Sequence, residues 1–149
     1  MAVSKPKVTA KRATGILIPN LRKAPDVGGN FSQPLLMIKI SLDNVKMNVI
    51  QTALNGIVNE LTIFTFSQND DFVSAKYCGG KIFKGYLVGK IDANKLLFSY
   101  CQLQVDGKID NGQSECDIAF GDDGKIKLIE HFTWASKNNE TGVNVFQEL

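Results

Sequence analysis

Proline is missing from most of this sequence, and long apolar runs are missing from all of it. All four prolines (Pro6, Pro19, Pro25 and Pro34) lie in the first 34 residues, so proline is absent from residues 35–149. Proline has no backbone N–H and is excluded from central strands, so its absence leaves that region free to form a sheet. No run approaches the roughly 20 apolar residues of a membrane span. We therefore expect no membrane association.

Reactive and metal-binding side chains are also scarce. The chain has one histidine and three cysteines, none of them spaced as zinc ligands. An odd cysteine count, without an apolar leader in the first 15 residues, is typical of reduced thiols in the cytoplasm. Ser114 has no adjacent base, and no Gly-x-Ser-x-Gly sequence is present. We predict no metal site, cofactor or catalytic residue, which favours a protein that is not an enzyme.

The net charge of +2 conceals an uneven distribution. Residues 1–25 contain six basic side chains and no acidic one, whereas the remaining 124 residues carry 11 basic and 15 acidic side chains. Together with the proline distribution, this predicts two parts. Residues 1–34 form a basic, proline-containing arm, and residues 35–149 form a folded domain.

The arm has two interpretations: a disordered solubilising tail, or a segment that docks on a partner. In the second, the partner-binding residues are basic side chains and a short apolar anchor: Lys5, Lys7, Lys11, Arg12, Ile16, Leu17 and Ile18. Basic residues suit phosphates, with salt-sensitive affinity, but they suit an acidic protein equally well. Residues 1–25 contain no aromatic side chain for base stacking. The apolar anchor favours a protein partner over a nucleic acid.

The folded domain reads as a series of strands separated by turn residues such as Asn55-Gly56 and Gly79-Gly80, which supply the positive φ of tight hairpins. The eight predicted strands are residues 45–54, 57–66, 72–78, 81–91, 96–105, 113–120, 125–134 and 142–149. No connection is long enough for a helical crossover, so neighbours must pair antiparallel. This predicts an all-β, up-and-down meander that closes into a barrel. Residues 35–42 form either an extra strand or a short helix.

Alternation in the seventh strand predicts which side chains enter the barrel. Glu130 is in phase with apolar Leu128, Phe132 and Trp134, whereas His131 falls on the outer face. We predict that Glu130 either anchors a polar group of a ligand or is a structural carboxyl satisfied by Tyr77, Tyr100 or water. The aromatic residues predicted to line the same interior, and with Glu130 to form a ligand site, are Trp134, Phe132, Tyr77, Phe83 and Phe120.

Residues 45–149 also carry a family resemblance. The matching elements are the Asn55-Gly56 turn, Thr62-Ile63-Phe64, Tyr77 followed by Gly79-Gly80, the strand containing Gly85, Leu87 and Gly89, and Glu130–Trp134. In these elements the chain resembles small bacterial proteins labelled N-acetylglutamate synthase, and the resemblance implies a lipocalin-like barrel. The motifs do not support the acetyltransferase label. Coenzyme A pyrophosphate is usually held by a glycine-bearing loop that feeds a helix, and no such helix follows Arg12–Leu17.

These observations lead to two hypotheses from different classes. The first is a non-enzymatic, lipocalin-like barrel that binds a small apolar ligand in its interior. The alternative is a structural or assembly subunit whose basic arm docks into a larger protein or nucleoprotein complex. An eight-stranded barrel is just wide enough either to be filled by side chains or to hold one small ligand. The volume of its cavity is therefore the observation that separates the two.

Overall fold

The computed structural model describes residues 39–149. The basic arm, with its predicted partner-binding residues and apolar anchor, lies outside the described residues, as do residues 35–38 of the segment 35–42. The strands are β1 Lys46–Gln51, β2 Ile63–Asn69, β3 Phe72–Gly79, β4 Ile82–Asp92, β5 Lys95–Gln104, β6 Ile109–Phe120, β7 Ile126–Trp134 and β8 Glu140–Glu148. Residues 39–42 belong to no strand. No helix in the described range is long and apolar enough to cross a membrane.

Each strand pairs antiparallel with the next, and β8 pairs with β1 to close the barrel. The predicted up-and-down meander is confirmed. Because the strands alternate in direction, the loops fall at two ends. We call the end with residues 52–62, 80–81, 105–108 and 135–139 the cap end, and the end with residues 70–71, 93–94 and 121–125 the base. Residues at positive φ occupy several of the predicted turns, including Asp70, Gly80 and Ala93.

The connection between β1 and β2 differs from the prediction of a tight hairpin at Asn55-Gly56. Residues 52–62 form an 11-residue loop, and β2 begins at Ile63 rather than residue 57. The turn itself is present, since the Gly56 N–H donates to the Ala53 carbonyl at 2.8 Å. However, the residues after the turn do not pair with β1. The turn therefore lies within a loop over the cap end.

A β-bulge in β4 changes which side chains enter the barrel. Ile82 pairs with Gln104 and Lys84 pairs with Leu103, so Phe83 is the extra residue. A bulge breaks the alternation of side chains between the two faces. Ile82 is buried, whereas Phe83 is 64% exposed on the outer face. The prediction that Phe83 faces the interior is therefore wrong.

The base half of the interior is filled by apolar side chains. Its buried members include Phe66, Val73, Ala75, Leu96, Cys116, Ile118, Ile126 and Leu128. Leu42 is also fully buried, and its backbone N–H donates to Gln68 Oε1 at 2.7 Å. The Asn44 N–H donates to the Phe66 carbonyl at 3.0 Å. Residues 40–45 thus contribute to the packed base of the barrel.

Candidate functional site

The cap half of the interior contains a cavity. The space open to the centre of a water molecule is about 30 Å³, enough for one or two waters. Its walls combine aromatic rings with polar groups: Ile57, Val58, Phe64, Tyr77, Leu87, Phe98, Tyr100, Gln102, Glu130, Phe132, Trp134, Asn144 and Phe146. Predominantly apolar walls with a few convergent polar groups are characteristic of small-molecule sites.

Glu130 is the buried carboxyl at the centre of this site. Ser114 Oγ donates to Glu130 Oε1 at 2.6 Å, and Asn144 Nδ2 donates to Oε2 at 2.8 Å. Burial raises the pKa of Glu130, while these two hydrogen bonds oppose the rise by favouring the ionised form. Within residues 39–149, no basic side chain forms an ion pair with it. Each oxygen accepts one of these bonds and keeps a second acceptor position for another group.

The predicted partners of Glu130 need a correction. Tyr77 and Tyr100 do not bond to it; Ser114 and Asn144 do. Tyr77 instead donates to Gln102 Oε1 at 3.0 Å. Burial and the nearby Glu130 charge raise the pKa of both tyrosines, so both keep their phenolic protons at neutral pH.

A second polar group lies closer to the cap end and is centred on Asp110. Asp110 Oδ2 accepts from Gln104 Nε2 at 2.6 Å and, at a longer 3.4 Å, from Gln102 Nε2. Its other oxygen lies 3.9 Å from Lys137 Nζ, and Lys137 also lies over the Trp134 ring, 4.3 Å from the centroid. Asp110 therefore has protein partners on both oxygens, as Glu130 has, and one of them is the cationic Lys137.

Trp134 has an unmet hydrogen bond at this site. The residue is only 3% exposed, and its Nε1–H is buried without a partner. Leaving such a donor unpaired costs about 1–3 kcal/mol, so a buried donor of this kind calls for an explanation. The Trp134 ring packs edge-on against Tyr100 and Phe132 at 5.9 and 5.6 Å between centroids. The ring is thus well held, while its polar atom is not satisfied.

Glycines on neighbouring strands accommodate the aromatic wall. Gly85 pairs with Tyr77, and a Cβ at Gly85 would lie 2.2 Å from the Tyr77 ring. Gly112 faces the Tyr100 hydroxyl in the same way, at 2.5 Å. The third case is Gly142, opposite the Phe132 ring at 2.3 Å. Each ring therefore occupies space that a Cβ at the paired glycine would fill.

The structure brings together four of the six predicted ligand-site residues, namely Glu130, Trp134, Phe132 and Tyr77. Phe83 is outside because of the bulge. Phe120 has the inward phase but ends β6 at the base, where it is 47% exposed and remote from the cavity walls. The predicted interior position is wrong for both.

Sequence reasoning missed Ser114 and Asn144 as partners of Glu130. In the sequence, Ser114 draws attention only as a nucleophile without an adjacent base. The available signal was the phase of its strand, since Ser114 alternates with inward Cys116 and Ile118. Asn144 shares the inward phase of Phe146 in β8. A polar residue in an inward phase is the pattern that identifies them.

The only histidine belongs to the outer surface, as predicted. His131 Nε2 lies 3.5 Å from Asp117 Oδ2, and Lys95 pairs with Glu115 and Asp117 on the same face. These side chains are about half exposed. Among residues 39–149, no three His, Cys, Asp or Glu side chains are grouped as a metal site would require.

By its architecture, this protein is a closed, eight-stranded antiparallel β-barrel with a partly polar internal cavity. Comparison with protein families then narrows it: residues 40–149 match the model of the avidin-like proteins. The chain belongs to the avidin-like family. The match agrees with the barrel implied by the sequence resemblance but does not support the N-acetylglutamate synthase label. Searches of curated proteins and of solved structures found no match.

Proposed function

We propose that this protein is a non-enzymatic barrel that binds a small ligand in the cap half of its interior. The observation that carries the proposal is the buried, unpaired Nε1–H of Trp134 in the wall of the cavity that also contains Glu130. Family membership supports it, since avidin-like barrels bind small ligands such as biotin.

The site groups define the chemistry of the ligand. Trp134 requires a hydrogen-bond acceptor, and the free acceptor positions of Glu130 require a donor. Aromatic rings around them favour a flat or aliphatic body. A neutral amide or urea offers both an acceptor and N–H donors within a few atoms. We therefore propose a ligand with an amide-like or urea-like head and an otherwise apolar body.

Calorimetric titration with two probes tests this proposal. The probes are biotin, a cyclic urea with an apolar chain, and imidazolidin-2-one, the bare cyclic urea. Trp134→Phe keeps a ring and removes the N–H, so we expect it to weaken binding about tenfold, the equivalent of one hydrogen bond. Glu130→Gln should weaken binding similarly. Failure of both probes to bind at millimolar concentration would contradict the proposed ligand class.

His131→Gln is the matched control for the carboxyl variant. It changes the adjacent residue of β7, which lies on the outer face. We expect its affinity to equal that of the unmodified protein. Equal losses in Glu130→Gln and His131→Gln would show that neither acts through the cavity.

The size of the cavity favours a second candidate function. Typical ligand pockets have volumes of roughly 300–1,000 Å³, whereas the space for water centres here is about 30 Å³. A barrel filled by its own side chains would suit a structural or assembly subunit whose basic arm docks on an acidic protein or a nucleic acid. Loss of a complex on deletion of residues 1–34, with no binding of either probe, would favour this candidate.

A further inference from the structure

The walls of the cavity differ in how firmly they are held. Eleven of its thirteen residues lie on strands of the closed barrel, where ladder hydrogen bonds fix the backbone. The other two, Ile57 and Val58, belong to the loop 52–62. This loop is therefore the part of the wall whose backbone can move without breaking a strand ladder. Because the cavity has room for only one or two waters, a larger ligand requires it to enlarge.

The two parts of the loop are attached to different strands. Residues 59–62 are attached to β1 and β3, since Asn48 Nδ2 of β1 donates to the Glu60 carbonyl at 3.3 Å and Thr62 Oγ1 donates to the Gly79 carbonyl of β3 at 3.1 Å. Residues 53–58 contact β8 through side-chain bonds. The Asn55 Nδ2 donates to the Thr141 carbonyl at 3.1 Å. Asn144 supplies the other attachment.

Asn144 binds in two directions with one amide group. Its Nδ2 donates to Glu130 Oε2 at 2.8 Å, inside the cavity. Its Oδ1 accepts from the Ala53 N–H at 2.9 Å, in the loop. Gly56 packs on the same oxygen, where a Cβ would lie 3.0 Å away. One side chain therefore connects the carboxyl of the site to the part of the loop that is attached to β8.

We propose that residues 53–58 form a lid over the cavity and that Asn144 couples its closure to the group bonded to Glu130. This inference rests on the proposed function. A ligand that contacts Glu130 together with Ile57 and Val58 makes all these contacts only when the lid is closed. By linkage, such a ligand stabilises the closed state, and closure strengthens its binding.

Trp134 provides the measurement, because it is the only tryptophan of the chain and lies beneath the lid. We expect Asn144→Ala to increase quenching of its fluorescence by acrylamide at least about twofold, because breaking both bonds opens the lid. Hydrogen exchange at the Gly56 amide should accelerate about tenfold, as expected for the loss of about one hydrogen bond. Unchanged quenching and unchanged Gly56 exchange would overturn the lid.

Two further variants supply a control and an independent second test. Asn48→Ala removes the exposed amide that bonds to Glu60, outside residues 53–58 of the same loop, so it should leave Trp134 quenching unchanged. Asn55→Ala breaks the other lid attachment at the surface and should also increase quenching, without disturbing the buried Glu130 network. It therefore tests the lid even if Asn144→Ala fails to fold. Equal quenching of Asn55→Ala and the unmodified protein would contradict the inference.

Saturation with biotin or imidazolidin-2-one tests the coupling. Bound probe should slow Gly56 exchange in the unmodified protein and have little effect in Asn144→Ala. Equal slowing in both would show that Asn144 does not couple the two groups. If neither probe binds but Asn144→Ala still exposes Trp134, the proposed ligand class fails and the lid stands.

Discussion

The two halves of the barrel interior are built from the same alternating strands but from different chemistry. Along β5, the inward residues run from Leu96 and Phe98 near the base to Tyr100, Gln102 and Gln104 near the cap end. The same change occurs along β6, from Ile118 and Cys116 to Ser114 and Asp110. The base half resembles an ordinary core, whereas the cap half contains hydrogen-bonded groups around a cavity. Binding is therefore expected to depend on the cap half alone, whereas buried side chains of both halves contribute to stability.

The largest effect should come from the aromatic anchor of the cap half. Trp134→Ala removes a ring that is almost fully buried, and we expect it to lower the free energy of unfolding by about 3–5 kcal/mol. Phe83→Ala is the control, because the bulge places that ring on the outer face; its effect should stay within about 0.5 kcal/mol. Urea denaturation checks both. A cost below about 1 kcal/mol for Trp134→Ala would contradict its position.

A smaller effect should follow from filling the space over a glycine. In Gly85→Ala the new methyl would overlap the Tyr77 ring, so we expect a loss of about 1–3 kcal/mol. Combining it with Tyr77→Ala should cost less than the sum of the two single changes, because the second removes the clash. Additive losses in the urea-denaturation cycle would show that the ring and the glycine do not share this space.

The pH dependence of stability tests the buried carboxyl. Since burial raises the pKa of Glu130 above its ordinary value of 4.5, the folded protein keeps this proton to a higher pH than the unfolded chain. Relative to Glu130→Gln, the free energy of unfolding should therefore fall as pH rises from about 4.5 through the raised pKa. Denaturation series between pH 4.5 and 8 measure this difference. Parallel curves for the two proteins would mean that Glu130 is not desolvated.

Deleting residues 1–34 should have the smallest effect on the barrel. Residues 40–149 contain all eight strands of the described barrel and the buried Leu42 at the base. We expect the truncated protein to unfold within about 0.5 kcal/mol of the full chain. An insoluble or unfolded product would show that the barrel depends on the arm.

Much of the fold could be predicted because its signals are local. Turn residues separate the strands, and alternation in β7 correctly places Glu130, Phe132 and Trp134 in the interior. The errors arise where local patterns are ambiguous. Asn55-Gly56 does form a turn, but within a loop, and the bulge at Phe83 has no distinctive sequence pattern.

The polar network was less accessible to sequence reasoning. The partners of Glu130 lie 16 residues before it and 14 residues after it, on the two neighbouring strands. Their contact depends on strand register, which alternation alone does not determine. The volume of the cavity is still harder to predict from sequence, because it depends on how the rings next to Gly85, Gly112 and Gly142 fill the interior.

The most direct test of a ligand site in the cap half is the indole N–H resonance of Trp134. With one tryptophan, the chain has a single such signal in a ¹H–¹⁵N spectrum. If biotin or imidazolidin-2-one supplies the missing acceptor, this resonance should move downfield on titration and become protected from hydrogen exchange. The His131→Gln variant should give the same shift. An indole resonance that stays in place while either probe is bound elsewhere, or while neither binds, would contradict the account.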